Sequence, residues 1–136
     1  DRTESGYGQG LDLASPFGMA LVAATAAHGQ MPVPFLIQGK ETEVDGQVGP
    51  MAPEVAAQLQ QMMAAVTAPG GTATGMTAGG DIRGKTGEAE INGGSHSWFA
   101  GYRADDDIAF ATLIVLGGGS EAAVAVTDRM LHNLNP

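Results

Sequence analysis

The chain has 136 residues, 43% of them hydrophobic, which suits one domain with a core of its own. A formal charge of −9 argues against binding nucleic acid or an anionic membrane surface, either of which needs a basic patch, and the absence of cysteine removes disulfides, thiolate catalysis and zinc–thiolate sites. No apolar run nears the ~20 residues of a membrane span, and polar Asp1-Arg2-Thr3-Glu4 opens no signal peptide, so an export address would lie outside this sequence.

Gly6-Tyr7-Gly8-Gln9-Gly10 reads as a loop, because alternating glycines disfavour a helix. It lacks the preceding buried strand that a dinucleotide site needs. Ser15-Pro16 predicts a helix start, with Ser15 as N-cap and Pro16 at the first helical position. The helix runs to His28, a dipole-favoured end residue, with Gly29 as C-cap. It is apolar nearly all round, so a buried central helix is expected. Met31–Ile37 carries two prolines and is at most an extended edge segment. Lys40–Gly49 is polar, with Asp45-Gly46 as a hairpin turn. Pro53 opens a second helix, in which Val55, Leu59, Met62 and Val66 form an apolar stripe. Pro69-Gly70-Gly71 ends it, and Thr72–Gly80 is a loop.

Three strands follow: Ile82–Thr86, Ser97–Tyr102 and Ile108–Leu116. Asn92-Gly93-Gly94 turns the first into the second. Asp105-Asp106-Asp107 is expected as a solvated acidic turn before the third, because it lacks the alternating spacing of a calcium loop. Ile108–Leu116 is apolar on both faces, the pattern of a strand covered on both sides. Ser120 caps a last helix that reaches about Leu134. Short turns between strands make an antiparallel meander, and the fold class is α+β, a sheet with helices on both faces.

Two chemistries compete for Lys85. Gly79-Gly80-Asp81-Ile82-Arg83-Gly84-Lys85-Thr86 matches the phosphate-loop spacing, but no strand precedes it and no helix follows, so nucleotide binding at Gly79–Thr86 is a remote alternative. The other is a serine acyl-transfer site, in which Lys-Thr-Gly on a sheet strand walls the cleft. Lys85 supplies a cation, Thr86 a hydroxyl, and Gly87 a backbone that a ligand can approach closely.

Gly6-Tyr7-Gly8-Gln9-Gly10 ahead of Ser15-Pro16, then Gly71-Thr72-Ala73, Gly84-Lys85-Thr86-Gly87 and His96-Ser97-Trp98-Phe99-Ala100-Gly101-Tyr102 occur in an order that resembles the C-terminal part of a class B type penicillin-binding protein transpeptidase domain. The likeness covers nearly all of residues 1–136 and extends to the penicillin-binding-protein/serine β-lactamase fold. It implies a D,D-transpeptidase that cross-links peptidoglycan stem peptides, is acylated by β-lactams, works outside the cytoplasm and uses no cofactor or metal. It implies that Lys85 orients substrate and assists proton traffic. Thr86 would bind the terminal carboxylate of the D-Ala-D-Ala stem, and the backbone N–H of Glu88 would be one of two oxyanion-hole donors. Trp98 and its neighbours would support the strand from behind.

Two departures stand out. Glu88 replaces a second Thr, and a carboxylate there would repel a substrate carboxylate by roughly 1 kcal/mol or more. The larger one is that Ile37 and Ile82 lie three residues before the only lysines, Lys40 and Lys85, so no Ser-x-x-Lys exists, and neither does a Ser-x-Asn. The chain is therefore expected to be the downstream portion of a longer protein, inactive alone. The upstream portion would pair with the Ile108–Leu116 edge. Left uncovered, that edge invites a homodimer or strand swap. A β-lactam sensor or a non-catalytic interaction module of the same fold is the alternative.

Overall fold

The computed structural model describes residues 2–46 and 48–134. In order, the elements are α1 (Arg2–Ser5), α2 (Pro16–His28), α3 (Pro53–Thr67), β1 (Ile82–Ile91), β2 (Gly94–Arg103), a 3-10 turn (Ala104–Asp106), β3 (Ile108–Ile114) and α4 (Glu121–Asn133). The three strands lie in the order β1-β2-β3, each neighbour antiparallel. α2 and α3 pack on one face of the sheet and α4 on the other. This is the expected α+β meander with helices on both faces.

Strand alternation divides the residues between two cores. Ile82, Phe99 and Phe110 face Ala123, Val124 and Leu131 of α4. The Phe99 and Phe110 rings meet at 5.3 Å, tilted by 59°. On the other face, Tyr102 and Ala109 meet Ala26 of α2 and Leu59 and Met63 of α3. Gly84 and Gly101 lie opposite each other in the β1–β2 ladder. A Cβ on Gly101 would sit 2.1 Å from the Arg83 carbonyl oxygen, and one on Gly84 2.6 Å from the Phe99 ring. No side chain fits at either position, and that closeness lets the two phenyl rings fill the layer.

The helix signals act as expected at α2. The Ser15 hydroxyl accepts from the Gly18 N–H at 3.0 Å, and Gly29, at φ 73°, closes the helix. Elsewhere the structure corrects the reading. α2 buries Ala23 and Ala26 but leaves Phe17 and Val22 exposed, so in this chain it is covered on one side only. In α3 the buried residues are Ala56 and Met63; of the expected stripe Leu59 and Val66 pack against the cores, while Val55 and Met62 are exposed. The stripe is rotated because small Ala56 faces Gly29, where a Cβ would lie 3.6 Å from its own. α1 was not foreseen, and among the described residues Asp45-Gly46 is a bend with no flanking strands.

β1 continues to Ile91, where the Asn92-Gly93 turn forms with Gly93 at φ 91°. β3 stops at Ile114, not Leu116. Leu116 takes φ 54°, and the Gly117 N–H donates to the Ile114 carbonyl at 3.1 Å. Ser120 makes no side-chain cap. Its backbone is already helical, and its carbonyl accepts from Val124.

The acidic turn is not simply solvated. Arg103, only 3% exposed, grips the Asp106 carboxylate with Nε at 2.9 Å and with Nη2. The Asp105 carboxylate accepts from the Asp81 N–H. Asp107 meets His28 Nε2 at 2.9 Å, which joins the end of α2 to the turn. A buried guanidinium requires such pairing, which explains Asp106, while Asp105 and Asp107 each hold a partner of their own.

Candidate active site

The backbone of β1 sets the site. A two-residue hairpin turn makes its flanking residues, Ile91 and Gly94, a hydrogen-bonded pair. Alternation then points the N–H and C=O groups of Gly84, Thr86, Glu88 and Glu90 away from β2, to the outer edge. Side chains meet this outer row. Thr67 Oγ1 donates to the Ile82 carbonyl at 2.7 Å, and Lys85 Nζ to the Thr86 carbonyl at 2.6 Å. Gln9 Nε2 donates to the Glu88 carbonyl at 2.7 Å, and Gln9 Oε1 accepts from the Glu90 N–H at 3.2 Å. The Glu88 N–H points outward between the Lys85 and Gln9 contacts.

The side chains fall on two faces. Lys85 is exposed and stands over a groove of about 490 Å³ that Tyr7, Gln9, Met19, Trp98 and Ala100 help to line. Gly87 lies opposite Trp98, where a Cβ would be 3.3 Å from the indole's own Cβ. Trp98 therefore belongs to the groove wall and not behind the strand. Its neighbours Ser97 and Phe99, both fully buried, fill the supporting role on the far face. Lys85 and Asp12 are the charged side chains that line the groove beside the backbone of Glu88.

Thr86 points to the other face. It is 6% exposed, and its hydroxyl lies 2.7 Å from that of Thr72. Glu88 shares that side, and its carboxylate accepts from the Ser95 hydroxyl at 2.7 Å. Ser95 thus holds the unusual carboxylate against β2. The phosphate-loop alternative fails here. Lys85 and Thr86 sit in mid-strand on opposite faces, and β1 runs on to Ile91 with no helix after it.

Charge pairs pin the start of β1. Arg83 forks onto Asp81, Nε to Oδ1 at 3.0 Å and Nη2 to Oδ2 at 2.9 Å, and Nη1 reaches the Gln60 carbonyl of α3 at 3.3 Å. The hydrogen bond from Arg83 holds the Asp81 carboxyl below its ordinary range. Arg103 does the same for Asp106. Burial raises the Tyr102 phenol.

Lys85, Thr86, Gly87 and Glu88 were legible as one group. Thr72 carried the resemblance but no role. Gln9 and Ser95 were missed. The one sequence signal near Gln9 is the pair of glycines that flank it, Gly8 and Gly10, which the structure places at φ 80°.

A family model described as penicillin binding protein transpeptidase domain matches residues 1–134. No curated protein matches significantly. Among solved structures, the chain is similar to penicillin-binding protein 2 of Pseudomonas aeruginosa in complex with WCK 5153, with TM-score 0.72 and 23% identity over 94% of this chain and 31% of that one. It is similar to the D,D-transpeptidase domain of a peptidoglycan glycosyltransferase from Eggerthella lenta, with TM-score 0.64 and 26% identity over 87% and 31%. It is also similar to penicillin-binding protein A of M. tuberculosis in its imipenem acyl-enzyme complex, with TM-score 0.66 and 26% identity over 96% and 32%. The chain spans about a third of the length of each of these structures. With a family match over almost every residue and the Lys85–Glu88 strand in its sheet, the chain belongs to the penicillin-binding protein transpeptidase domain family.

Proposed function

We propose that β1 forms the Lys-Thr-Gly wall of a serine acyl-transfer site that binds β-lactams and cross-links peptidoglycan stem peptides outside the cytoplasm. The observation that carries this is the outer edge of β1, where the outward Glu88 N–H lies beside exposed Lys85. The upstream portion of the same domain supplies the nucleophile. Its serine Oγ attacks the carbonyl carbon of the D-Ala-D-Ala bond or the β-lactam ring, the C–N bond breaks, and the nitrogen leaves with a proton. The Glu88 N–H donates to the oxyanion as charge develops.

Lys85 attracts the ligand carboxylate and moves onto it from the Thr86 carbonyl. A hydroxyl offers one donor and two acceptor sites. The Thr72 and Thr86 hydroxyls lie 2.7 Å apart, and with Thr72 as the donor the Thr86 proton is left for the ligand carboxylate. Glu88 stays tied to Ser95 and so repels that carboxylate less than a free side chain would.

Intact mass after incubation with a reactive penicillin tests the reading. The expected result is one adduct on the full-length protein that carries this chain and none on residues 1–136 alone. An adduct within 1–136 would require a nucleophile that the proposal does not contain. Acylation without turnover of a D-Ala-D-Ala peptide would indicate a sensor instead.

A further inference from the structure

Asp128 lies in the second half of α4, where an aspartate gains nothing from the helix itself. Its carboxylate faces the loop between α3 and β1. Oδ1 accepts the N–H groups of both Thr77 and Ala78 at 2.8 Å, and Oδ2 accepts the Thr77 hydroxyl at 3.1 Å. A hydroxyl has one proton. With that proton on Asp128, the Thr77 oxygen accepts from Nε2 of His132, 2.8 Å away and one turn further along α4. Thr77 and Ala78 are thus fastened to two side chains on one face of the helix.

The rest of the loop has little of its own to hold it. Its internal backbone bonds, Thr74 N–H to Gly71 and Met76 N–H to Ala73, are both 3.4 Å long. Ala73 and Ala78 are its buried feet, in the core beside Ala123, Val124 and Leu131 of α4, and the Ala73 N–H reaches the Val66 carbonyl at 2.9 Å. Thr72 stands at the start of this arch, its hydroxyl 2.7 Å from that of Thr86. Gly70, at φ 87°, and Gly71 precede it. A residue that follows two glycines takes its orientation from the chain after it.

We infer that Asp128 is a positioning residue for the candidate site. It holds the Ala73–Ala78 arch down on α4, and the arch sets the Thr72 hydroxyl against Thr86. The site is thereby braced from α4, an element that, among the described residues, adds none to the groove. The consequence for acylation rests on the acyl-transfer reading. The brace itself does not.

The test uses the full-length protein with Asp128→Ala or Asp128→Asn, each alone and combined with Thr72→Val. Asn keeps a carbonyl oxygen for the two N–H groups and turns an amide N–H to the Thr77 hydroxyl, whereas Ala keeps no partner for any of them. Two readouts are taken: amide exchange at Thr77 and Ala78, and the second-order rate constant of acylation by a penicillin. One net hydrogen bond corresponds to about five- to tenfold. Exchange at both amides should speed up by at least about that factor in Asp128→Ala and stay slow in Asp128→Asn. With Thr72 present, Asp128→Ala should slow acylation by about two- to fivefold and Asp128→Asn by less than about twofold. Combined with Thr72→Val, Asp128→Ala should add nothing further, because the link through which it acts is already gone. Thr77→Val keeps both N–H bonds and loses only those of the hydroxyl, so it repeats the cycle at smaller amplitude where Asp128→Ala does not fold.

A merely structural loss would slow acylation by the same factor with Thr72 and with Thr72→Val, and that result would overturn the positioning role. An unchanged rate in Asp128→Ala with Thr72 present would overturn it too. Unchanged exchange at Thr77 and Ala78 would overturn the brace. Failure of the unsubstituted protein to be acylated would sink the acyl-transfer reading and the positioning role with it, and the brace would still be judged by exchange.

Discussion

Along the outer edge of β1, side chains of Thr67, Lys85 and Gln9 meet the outward backbone groups one after another. Along the outer edge of β3, alternation turns the N–H and C=O groups of Ala109, Ala111 and Leu113 outward, and among the described residues no side chain meets them. The sheet therefore has one dressed edge and one bare edge. A dressed edge resists indiscriminate strand pairing and leaves a few chosen donors open, as a ligand site needs. A bare apolar edge requires another segment to cover it. We expect the upstream portion of the domain to do so, or a second copy in its absence.

A matched pair of proline substitutions gives the largest expected contrast. Proline removes an N–H and is tolerated where that N–H faces out of the sheet. Glu88→Pro should lower the acylation rate by about a hundred- to a thousandfold, the usual effect of deleting one oxyanion donor. Its melting behaviour should stay close to that of the parent. Ala111→Pro should leave the ladder to β2 intact and block pairing beyond β3. Sedimentation of residues 1–136 should then show less self-association than the unsubstituted chain. If Ala111→Pro abolished acylation and Glu88→Pro did not, the roles assigned to the two edges would be reversed.

Lys85→Ala comes next. Loss of a charge-assisted hydrogen bond should slow acylation by about ten- to a hundredfold, measured as the second-order rate constant. Thr72→Val touches no ligand, yet it removes the partner that orients Thr86, and a fall of about fivefold is expected. An unchanged rate would mean that Thr86 needs no such orientation.

The smallest effect concerns stability in acid. Arg103 and Arg83 hold Asp106 and Asp81 below their ordinary carboxylate range in the folded chain. A depressed folded-state value gives stability that is fully present above the unfolded value, about 3.9, and is lost as pH falls through the folded value. Melting temperature should thus hold above about pH 4 and drop below it. Asp106→Asn should melt lower at neutral pH and lose less on acidification. An equal acid slope would remove the Arg103–Asp106 pair from the account.

These edges were only partly legible in the sequence. Lys-Thr-Gly on a strand, the turn after it and its aromatic partner could be read because strand alternation and turn chemistry are local. Ser15-Pro16 and Gly29 marked α2 for the same reason. The rotated face of α3 could not be read, because it depends on how closely Ala56 approaches Gly29 in space. Nor could the Asp105–Asp107 cluster, whose meaning lies in a buried arginine, the Asp81 N–H just before β1 and a histidine at the end of α2. Gln9 stayed invisible because its partners lie 79 and 81 residues downstream, and polar side chains in glycine loops are usually solvated.

The most direct measurement compares the two edges in one experiment. Hydrogen exchange would be followed residue by residue in the full-length protein before and after acylation by a penicillin. The account predicts new protection at the Glu88 N–H and along Gly84–Glu88, with Ala109, Ala111 and Leu113 unchanged. Protection at β3 with none at Glu88 would contradict the assignment of β1 as the wall of the site.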